Sequence, residues 1–240
     1  MRADGRASDQ LRPVTFTPNY LDHNPASVFI EMGKTWVLCV ASLTEEVPPW
    51  LRGQAQGWVT AEYSLLPAAT HSRTPRESRR GQIRGRTQEI QRMIGRSLRA
   101  ALDLHKLGER TVTVDCDVVQ ADGGTRTAAV TGGYVALVLA LNELIRSGAI
   151  HRSVWRSPVA GVSVGVVRRE PLLDLSYRED SRAEVDLNVV MNARGQYIEV
   201  QGAAEGQPFE RRTMNGLLDL ADDGIKQLLA MQRKTLAGEG

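Results

Sequence analysis

The sequence predicts an α+β sandwich in which long helices pack against β-sheet. The 240-residue chain contains several short runs of β-branched and apolar residues bounded by Pro, Gly or Asn, which is typical of strands. It also contains three longer segments in which apolar residues recur every three or four positions, which is typical of amphipathic helices. Hydrophobic residues make up 42% and charged residues 24% of the chain, the balance of a globular protein with a real core.

The first half of the chain is predicted to form sheet, then irregular structure, then a helix. Strands are expected at 14–17, 27–32 and 35–42. The stretch 47–74, rich in Pro, Gly and Trp, is predicted to be an irregular or hairpin region. A helix is expected from about 87 to 105, because it has apolar residues at helical spacing on one face and Arg92, Arg96 and Arg99 on the other.

The second half is predicted to alternate again between strand and helix. A strand at 110–119 leads to a helix at 125–147, which ends before Gly148 and has apolar residues around much of its circumference, as expected of a central helix. An amphipathic helix is expected from 215 to about 234. Between these two helices, strands are expected at 162–167, 185–192 and 196–201.

Several classes of protein are disfavoured by composition. Cys39 and Cys116 lie in strand-like apolar runs and are expected to be reduced core residues. The four histidines have no metal-ligand spacing, so no zinc site is expected. No apolar run was expected to reach the ~20 residues of a membrane helix, and the polar N-terminus lacks the apolar stretch of a signal peptide. We therefore expect a cytoplasmic protein without a membrane partner.

Positive charge is concentrated in one segment. The net charge is only +2, yet residues 73–99 contain nine arginines and two glutamates, a local excess of seven. Clustered guanidinium groups suit a polyanionic partner, because they pair with phosphate oxygens in bidentate fashion. For a basic run taken alone, however, a solvated helix face is the favoured interpretation.

A glycine-rich turn precedes the predicted central helix. The string QADGGTRTAA places Gly123, Gly124, Thr125 and Arg126 at the N-terminus of that helix. Free backbone N–H groups and the positive end of the helix dipole can hold an anion there. A plain strand-to-helix connection is an equally good interpretation of the glycines alone, and the P-loop pattern is absent.

An acidic cluster follows in LLDLSYREDSRAEVDLNVV, with carboxylates at Asp174, Glu179, Asp180, Glu184 and Asp186. Asp186 falls inside an apolar strand pattern, where a carboxylate needs a partner to offset desolvation. In nucleic-acid chemistry such carboxylates hold Mg²⁺ or move a proton to a departing 3′ oxygen. For Glu179 and Glu184, an ordinary acidic turn is a strong alternative.

Taken together, these strings resemble the ribonuclease PH family of phosphorolytic 3′ exoribonucleases. The resemblance rests on DGRASDQLRP, QGWVTAEYSLLP, RGRTQEIQRMIGRSLRAAL, VDCDVVQADGGTRTAAVTGG, EDSRAEVDLNVVM and EVQGAAEG, which occur in order over most of the chain. It implies one domain over residues 1–240 with a βαβα-type sandwich of the ribonuclease PH and polynucleotide phosphorylase core type. It also implies a homohexamer built as a trimer of dimers.

The resemblance further implies the site. Arg86, Gly124, Thr125 and Arg126 match the phosphate-binding positions. Asp180 and Asp186 match the acidic pair, as catalytic residues and as possible Mg²⁺ ligands. Arg73, Arg76, Arg79 and Arg80 match the RNA-guiding segment.

The implied activity is phosphate-dependent 3′ to 5′ trimming of tRNA precursors and other structured RNA. Inorganic phosphate is the co-substrate, nucleoside 5′-diphosphates are released, and nucleotide addition is the reverse reaction. The alternatives are a catalytically silent, RNA-binding ring subunit of the exosome type and a metal-dependent hydrolytic nuclease. The sequence departs from the family pattern at Ala55, where glycine is common, and at Ala68, where glycine or arginine is frequent.

Overall fold

The computed structural model describes residues 2–77 and 81–238, which form two β-sheets and five α-helices. The strands are β1 (Val14–Pro18), β2 (Ser27–Met32), β3 (Thr35–Thr44), β4 (Trp58–Leu65), β5 (Thr111–Gln120), β6 (Val159–Val167), β7 (Glu170–Leu173), β8 (Val185–Asn192) and β9 (Tyr197–Ala204). The helices are α1 (Gly85–Ala100), α2 (Leu104–Leu107), α3 (Thr125–Arg146), α4 (Tyr177–Asp180) and α5 (Arg211–Ala237).

The first sheet has five strands in the order β1-β2-β3-β5-β4. Its pairs are antiparallel except β4 with β5, which is parallel. The prediction of irregular or hairpin structure over 47–74 was therefore wrong for β4. The parallel partner of β4 follows only after α1, so the local sequence carried no sign of the pairing.

The second sheet has four antiparallel strands in the order β7-β6-β8-β9. Every residue of β6 from Val159 to Val166 is buried, because the strand is central and α3 and α5 both pack on it. Two short elements, β7 and α4, were not predicted. Helix α4 spans a single turn and carries Asp180 at its last position, so it bears directly on the site.

Helix α3 lies between the two sheets and contacts both of them. Its glycines allow a close approach: a Cβ on Gly132 would lie 2.6 Å from Cγ2 of Ile30 and 2.9 Å from Sγ of Cys39. The expectation that no segment matches a membrane span needs correction, since α3 has the required length and apolar composition. However, 67% of its most apolar window is buried within the protein, as in the core helix of a globular fold. The predicted βαβα-type sandwich is confirmed.

Most predicted elements are confirmed, with shifts of a few residues at their ends. The helix expected at 87–105 ends at Ala100, because Leu102 then forms an isolated β-bridge with Trp155 and the Asp103 carboxylate caps α2. Arg99 was expected on the cationic face but instead lies 4.3 Å over the Trp58 ring and donates to the Val59 carbonyl at 2.7 Å.

Two smaller expectations are settled at single residues. Cys39 and Cys116 are buried and form no disulfide, as predicted. They lie opposite each other on β3 and β5, which the sequence did not indicate. Ala55 has a φ of 50°, in the left-handed region where glycine carries no steric cost. The preference for glycine at this position therefore has a backbone origin.

Candidate active site

The glycine-rich turn between β5 and α3 has a left-handed backbone that favours glycine. Gly123 and Gly124 have φ values of 78° and 64°. A Cβ on Gly123 would also lie 2.4 Å from the carbonyl oxygen of Leu175. Thr125 and Arg126 are the first two residues of α3, whose leading N–H groups have no partner within the helix. The turn therefore has the backbone features that an anion site needs, namely close backbone approach and free N–H groups at a helix N-terminus.

Arg12 holds this turn from the buried side. Its guanidinium donates to the carbonyls of Asp122 at 2.5 Å and Gly123 at 3.3 Å, while the Thr35 hydroxyl donates to Gly123 at 2.6 Å. In a trans peptide the C=O and the following N–H point in opposite directions. Because the Gly123 carbonyl faces Arg12 and Thr35, the Gly124 N–H faces the opposite side, where an anion would bind.

Arg12 is itself fixed by a buried carboxylate. Asp174 is 1% exposed and accepts from Nε and Nη2 of Arg12 at 2.9 and 2.7 Å. Such a bidentate pair sets both the position and the plane of the guanidinium. Asp174 therefore supports the glycine-rich turn through Arg12 and has a structural partner. The sequence analysis did not identify Arg12 as a functional residue, although the segment DGRASDQLRP that contains it was part of the family resemblance.

Two arginines near the starts of different helices interact electrostatically. Arg86 is the second residue of α1 and is exposed, whereas Arg126 is partly buried. Burial and the Arg86 charge together lower the pKa of Arg126. The two guanidiniums are thus close enough to repel each other, and a bound anion between them would relieve that repulsion.

Arg126 is oriented by a chain of side chains that the sequence did not reveal. Its Nη1 donates to Oε1 of Gln201 on β9, and Nε2 of Gln201 donates to Oε1 of Glu89 on α1. Glu89 lies on α1, so these hydrogen bonds connect the start of α3 to α1 through β9. Glu89 borders a cavity of about 320 Å³ between α1 and β9 that Arg92 and Arg96 also line.

Asp180 and Asp186 are partly buried carboxyls that both feel the charges of Arg86 and Arg126. Partial burial and then the Asp186 charge raise the pKa of Asp180, while burial and then Glu205 raise that of Asp186. Arg86 and Arg126 act on both carboxyls in the opposite direction. Among the described residues, neither carboxyl forms a salt bridge, which leaves both available to substrate or metal.

The other carboxylates of the acidic cluster have structural partners. Glu179 accepts two hydrogen bonds of 2.8 Å from Arg2 and closes a capping box with Ser176 at the start of α4. This arrangement fixes the single turn that carries Asp180. Glu184 is exposed and accepts from the backbone N–H of Arg169 at 3.1 Å. The ordinary structural interpretation of Glu179 and Glu184 therefore holds.

The basic segment before α1 is described only in part. Arg73 and Arg76 are exposed, and the Arg76 charge lowers the pKa of Asp117, which burial raises. Arg79 and Arg80 lie outside the described residues. Within the described part of the chain, no group of three or more His, Cys, Asp or Glu residues could hold a metal ion.

Comparisons with known proteins agree with this geometry. Residues 10–141 match the model for domain 1 of the 3′ exoribonuclease family, and residues 157–224 match the model for domain 2. Ribonuclease PH of Bacillus velezensis and that of Bacillus subtilis are each 52% identical over 237 residues, covering 98% of this chain and 97% of theirs.

The fold also matches solved structures at low sequence identity. Rice Rrp46 has a TM-score of 0.78 at 20% identity and covers 98% of this chain and 100% of its own. A chain of the Archaeoglobus fulgidus exosome with RNA bound to the active site has a TM-score of 0.76 at 22% identity, covering 95% and 91%.

The fold and the site define a phosphate-dependent RNA-processing enzyme. The chain belongs to the ribonuclease PH family and is a phosphorolytic 3′ to 5′ exoribonuclease with tRNA nucleotidyltransferase activity. The assignment rests on the level of identity to ribonuclease PH; the exosome-type alternative is weaker, since those chains share only 20–22% of positions. Both matched segments contribute to one hydrophobic cluster, and a single domain over 1–240 stays a prediction.

Proposed function

We propose that this chain trims the 3′ ends of tRNA precursors in the cytoplasm. Its catalytic centre would be the glycine-rich turn, as the phosphate site, together with the acidic pair Asp180 and Asp186. The observation that carries the proposal is that α4, the helical turn that ends at Asp180, lies against the glycine-rich turn: the Tyr177 N–H donates to Oδ1 of Asp122 at 3.2 Å.

The charges of Arg86 and Arg126 also act to lower the pKa of both carboxyls of the acidic pair. A site for one anion thus adjoins a proton source; this site, formed by the glycine-rich turn with Arg86 and Arg126, is called the cradle below. A hydrolytic nuclease would have no use for the cradle.

The cradle would hold inorganic phosphate in line with the last phosphodiester of the RNA. The Gly124 and Thr125 amides, the Thr125 hydroxyl and the two guanidiniums of Arg86 and Arg126 supply donors and positive charge. They offset the repulsion between two anions that must meet and reduce the entropy lost in bringing them together.

The acidic pair would serve the leaving group. An oxygen of the incoming phosphate bonds to the last phosphorus, and the bond from that phosphorus to the 3′ oxygen breaks. One member of the pair, Asp180 or Asp186, gives its proton to the departing 3′ oxygen, and the raised pKa of both carboxyls favours this role. The product is a nucleoside 5′-diphosphate, so one phosphoester is exchanged for a phosphoanhydride and the reaction can run in reverse.

Asp180 and Asp186 also suit Mg²⁺. They offer carboxylate oxygens that have, within the described residues, no salt-bridge partner, and Mg²⁺ is usually held by one or two carboxylates together with water and substrate phosphates. When bound there, Mg²⁺ would supply positive charge against the phosphoryl oxygens. We propose Asp180 and Asp186 as its ligands.

A homohexamer built as a trimer of dimers is proposed on the family resemblance. An aromatic cluster on the outer face of the first sheet supports an assembly of this kind. Tyr20 is 49% exposed and stacks on Phe29 with ring centroids 4.9 Å apart, and Trp36 lies beside Phe29. Light scattering on the full chain tests the hexamer, and a monomer at micromolar concentration would contradict it.

The function is tested by phosphate dependence. With inorganic phosphate, 3′-labelled RNA should lose its end as nucleoside 5′-diphosphate, because the cradle supplies phosphate as the nucleophile. Without phosphate, release should nearly stop. Nucleoside monophosphates appearing at an equal rate in phosphate-free buffer would support the hydrolase instead, and RNA binding with no release in either buffer would support the silent subunit.

The basic segment is expected to contact the RNA backbone away from the 3′ end. Changing Arg73, Arg76, Arg79 and Arg80 to alanine should weaken binding and trimming of a tRNA precursor while nearly sparing a short single strand. The short strand reaches the catalytic centre without reaching these arginines. Each lost phosphate contact should lower the salt slope of binding by about one unit.

A matched variant controls for net charge. Arg52, Arg146, Arg152 and Arg233 are exposed and lie outside the basic segment, so changing all four to alanine removes equal charge elsewhere. This control should bind both RNAs nearly as the unmodified chain does. Equal loss on both substrates in the first variant, together with a smaller assembly, would show that the segment makes a subunit contact.

A further inference from the structure

A buried tyrosine on the first sheet contacts the first residue after the glycine-rich turn. Tyr63 lies on β4, is 4% exposed, and its hydroxyl is 2.7 Å from the Thr125 hydroxyl. Sixty-two positions separate the two residues, so the contact exists only because β4 pairs with β5, the strand that leads into the turn.

The chemistry of the two hydroxyls favours one direction for this hydrogen bond. A phenol is a stronger acid than an aliphatic alcohol, so Tyr63 is the better donor and Thr125 the better acceptor. Burial raises the pKa of Tyr63, although the Thr125 contact lowers it, so the phenol keeps its proton across the working pH range. Each hydroxyl has one hydrogen. If Tyr63 donates its hydrogen to Thr125, the hydrogen of Thr125 is free for another acceptor.

We propose that Tyr63 is a positioning residue that orients the Thr125 hydroxyl as a donor to the incoming phosphate. Without the phenol, Thr125 can turn its hydrogen elsewhere, including to backbone carbonyls, and the cradle loses a preorganised donor. The ring of Tyr63 would stay in the core in either case. This inference rests on the proposed role of Thr125 in phosphate binding.

The test is Tyr63→Phe, which removes only the hydroxyl. The KM for phosphate should rise about tenfold, as for the loss of one hydrogen bond to a charged group, with little change in kcat at saturating phosphate or in the KM for RNA. Titration calorimetry with phosphate in the absence of RNA should show the same loss of affinity. That measurement does not depend on turnover, so it separates failure of this inference from failure of the proposed function.

Tyr134→Phe is the matched control. Tyr134 is also buried, at 6% exposure, and packs against Trp155 at a distance from the turn along α3. Its variant should bind phosphate normally. Melting curves for both variants measure the general effect on stability of deleting a buried hydroxyl. If Tyr63 had only a structural role, Tyr63→Phe would lower stability without a specific loss of phosphate affinity.

A double-mutant cycle with Thr125→Val decides the pathway of the effect. If Tyr63 acts through Thr125, Tyr63→Phe should have almost no further effect on phosphate affinity in the Thr125→Val background. An undiminished tenfold effect in that background would overturn the proposal. So would a Tyr63→Phe variant that folds and binds phosphate as tightly as the unmodified chain.

Discussion

Asp180→Asn should lower the rate of phosphorolysis by roughly 10²–10³-fold, corresponding to about 2.7–4 kcal/mol of lost transition-state stabilisation. Asparagine keeps the shape of the side chain but can neither carry the charge nor hand over the proton. The loss should appear in kcat, and added phosphate should not restore it. Near-normal turnover would remove Asp180 from the mechanism.

A modified leaving group distinguishes a proton donor from a metal ligand. In RNA whose last linkage has sulfur in place of the bridging 3′ oxygen, the thiolate leaves without protonation. If Asp180 donates the proton, Asp180→Asn should cleave this substrate almost as fast as the unmodified chain does. If the rescue appears in Asp186→Asn instead, the two roles are exchanged, and rescue in neither variant would contradict proton donation by the pair.

The stability of Asp180→Asn is expected to move in the opposite direction from its activity. Burial and then Asp186 raise the pKa of Asp180 above 3.8 in the folded protein. The ionised carboxylate therefore destabilises the fold above its raised pKa, and this penalty disappears as the pH falls below 3.8. The variant should melt no lower than the unmodified chain at neutral pH, with the difference vanishing in acid. Such curves would also show that the lost activity is not lost folding.

Arg86→Ala should have a comparable effect on the rate at low phosphate, because it removes one of the two cations that hold the nucleophile. The variant should lose affinity for phosphate as well as transition-state stabilisation. Raising the phosphate concentration should therefore restore part of the activity, in contrast to Asp180→Asn. Rates measured over a phosphate series separate the two components.

Arg84→Ala is the matched control for this variant. Arg84 lies two residues earlier, at the N-cap of α1, and its Nε is 3.9 Å from Oε1 of the partly buried Glu77. It removes the same charge from the same helix end and should cost far less activity. Equal losses in the two variants would show that Arg86 contributes only a general positive field.

The sequence could predict what depends on local pattern. The periodicity of Ile90, Met93, Ile94 and Leu98 predicted the buried face of α1, and all four are buried. Strands β2 and β8 were predicted with their observed bounds. The glycine turn was predicted at the start of α3, because glycine marks a backbone that other residues rarely adopt. These features depend on neighbours in the chain, so the sequence shows them directly.

The arginines show where local pattern was insufficient. Arg92, Arg96 and Arg99 follow one another at helical spacing and were interpreted as one cationic face. In the structure, Arg96 forms an ion pair with Glu199, and the Arg99 guanidinium lies over the Trp58 ring. Arg92 lines the cavity beside β9. An arginine's partner depends on which strand lies across from it, and that is decided by the packing of α1.

By itself, the sequence determined the family and the main elements, and it pointed to the candidate phosphate-binding residues and the acidic pair. The tertiary structure alone decided which residues support them. Arg12 reaches Asp174 across 162 positions of sequence, and Tyr63 reaches Thr125 across 62. The physical reason is that a hydrogen bond depends on distance and direction in space, which sheet pairing and helix packing create between residues that no sequence pattern connects.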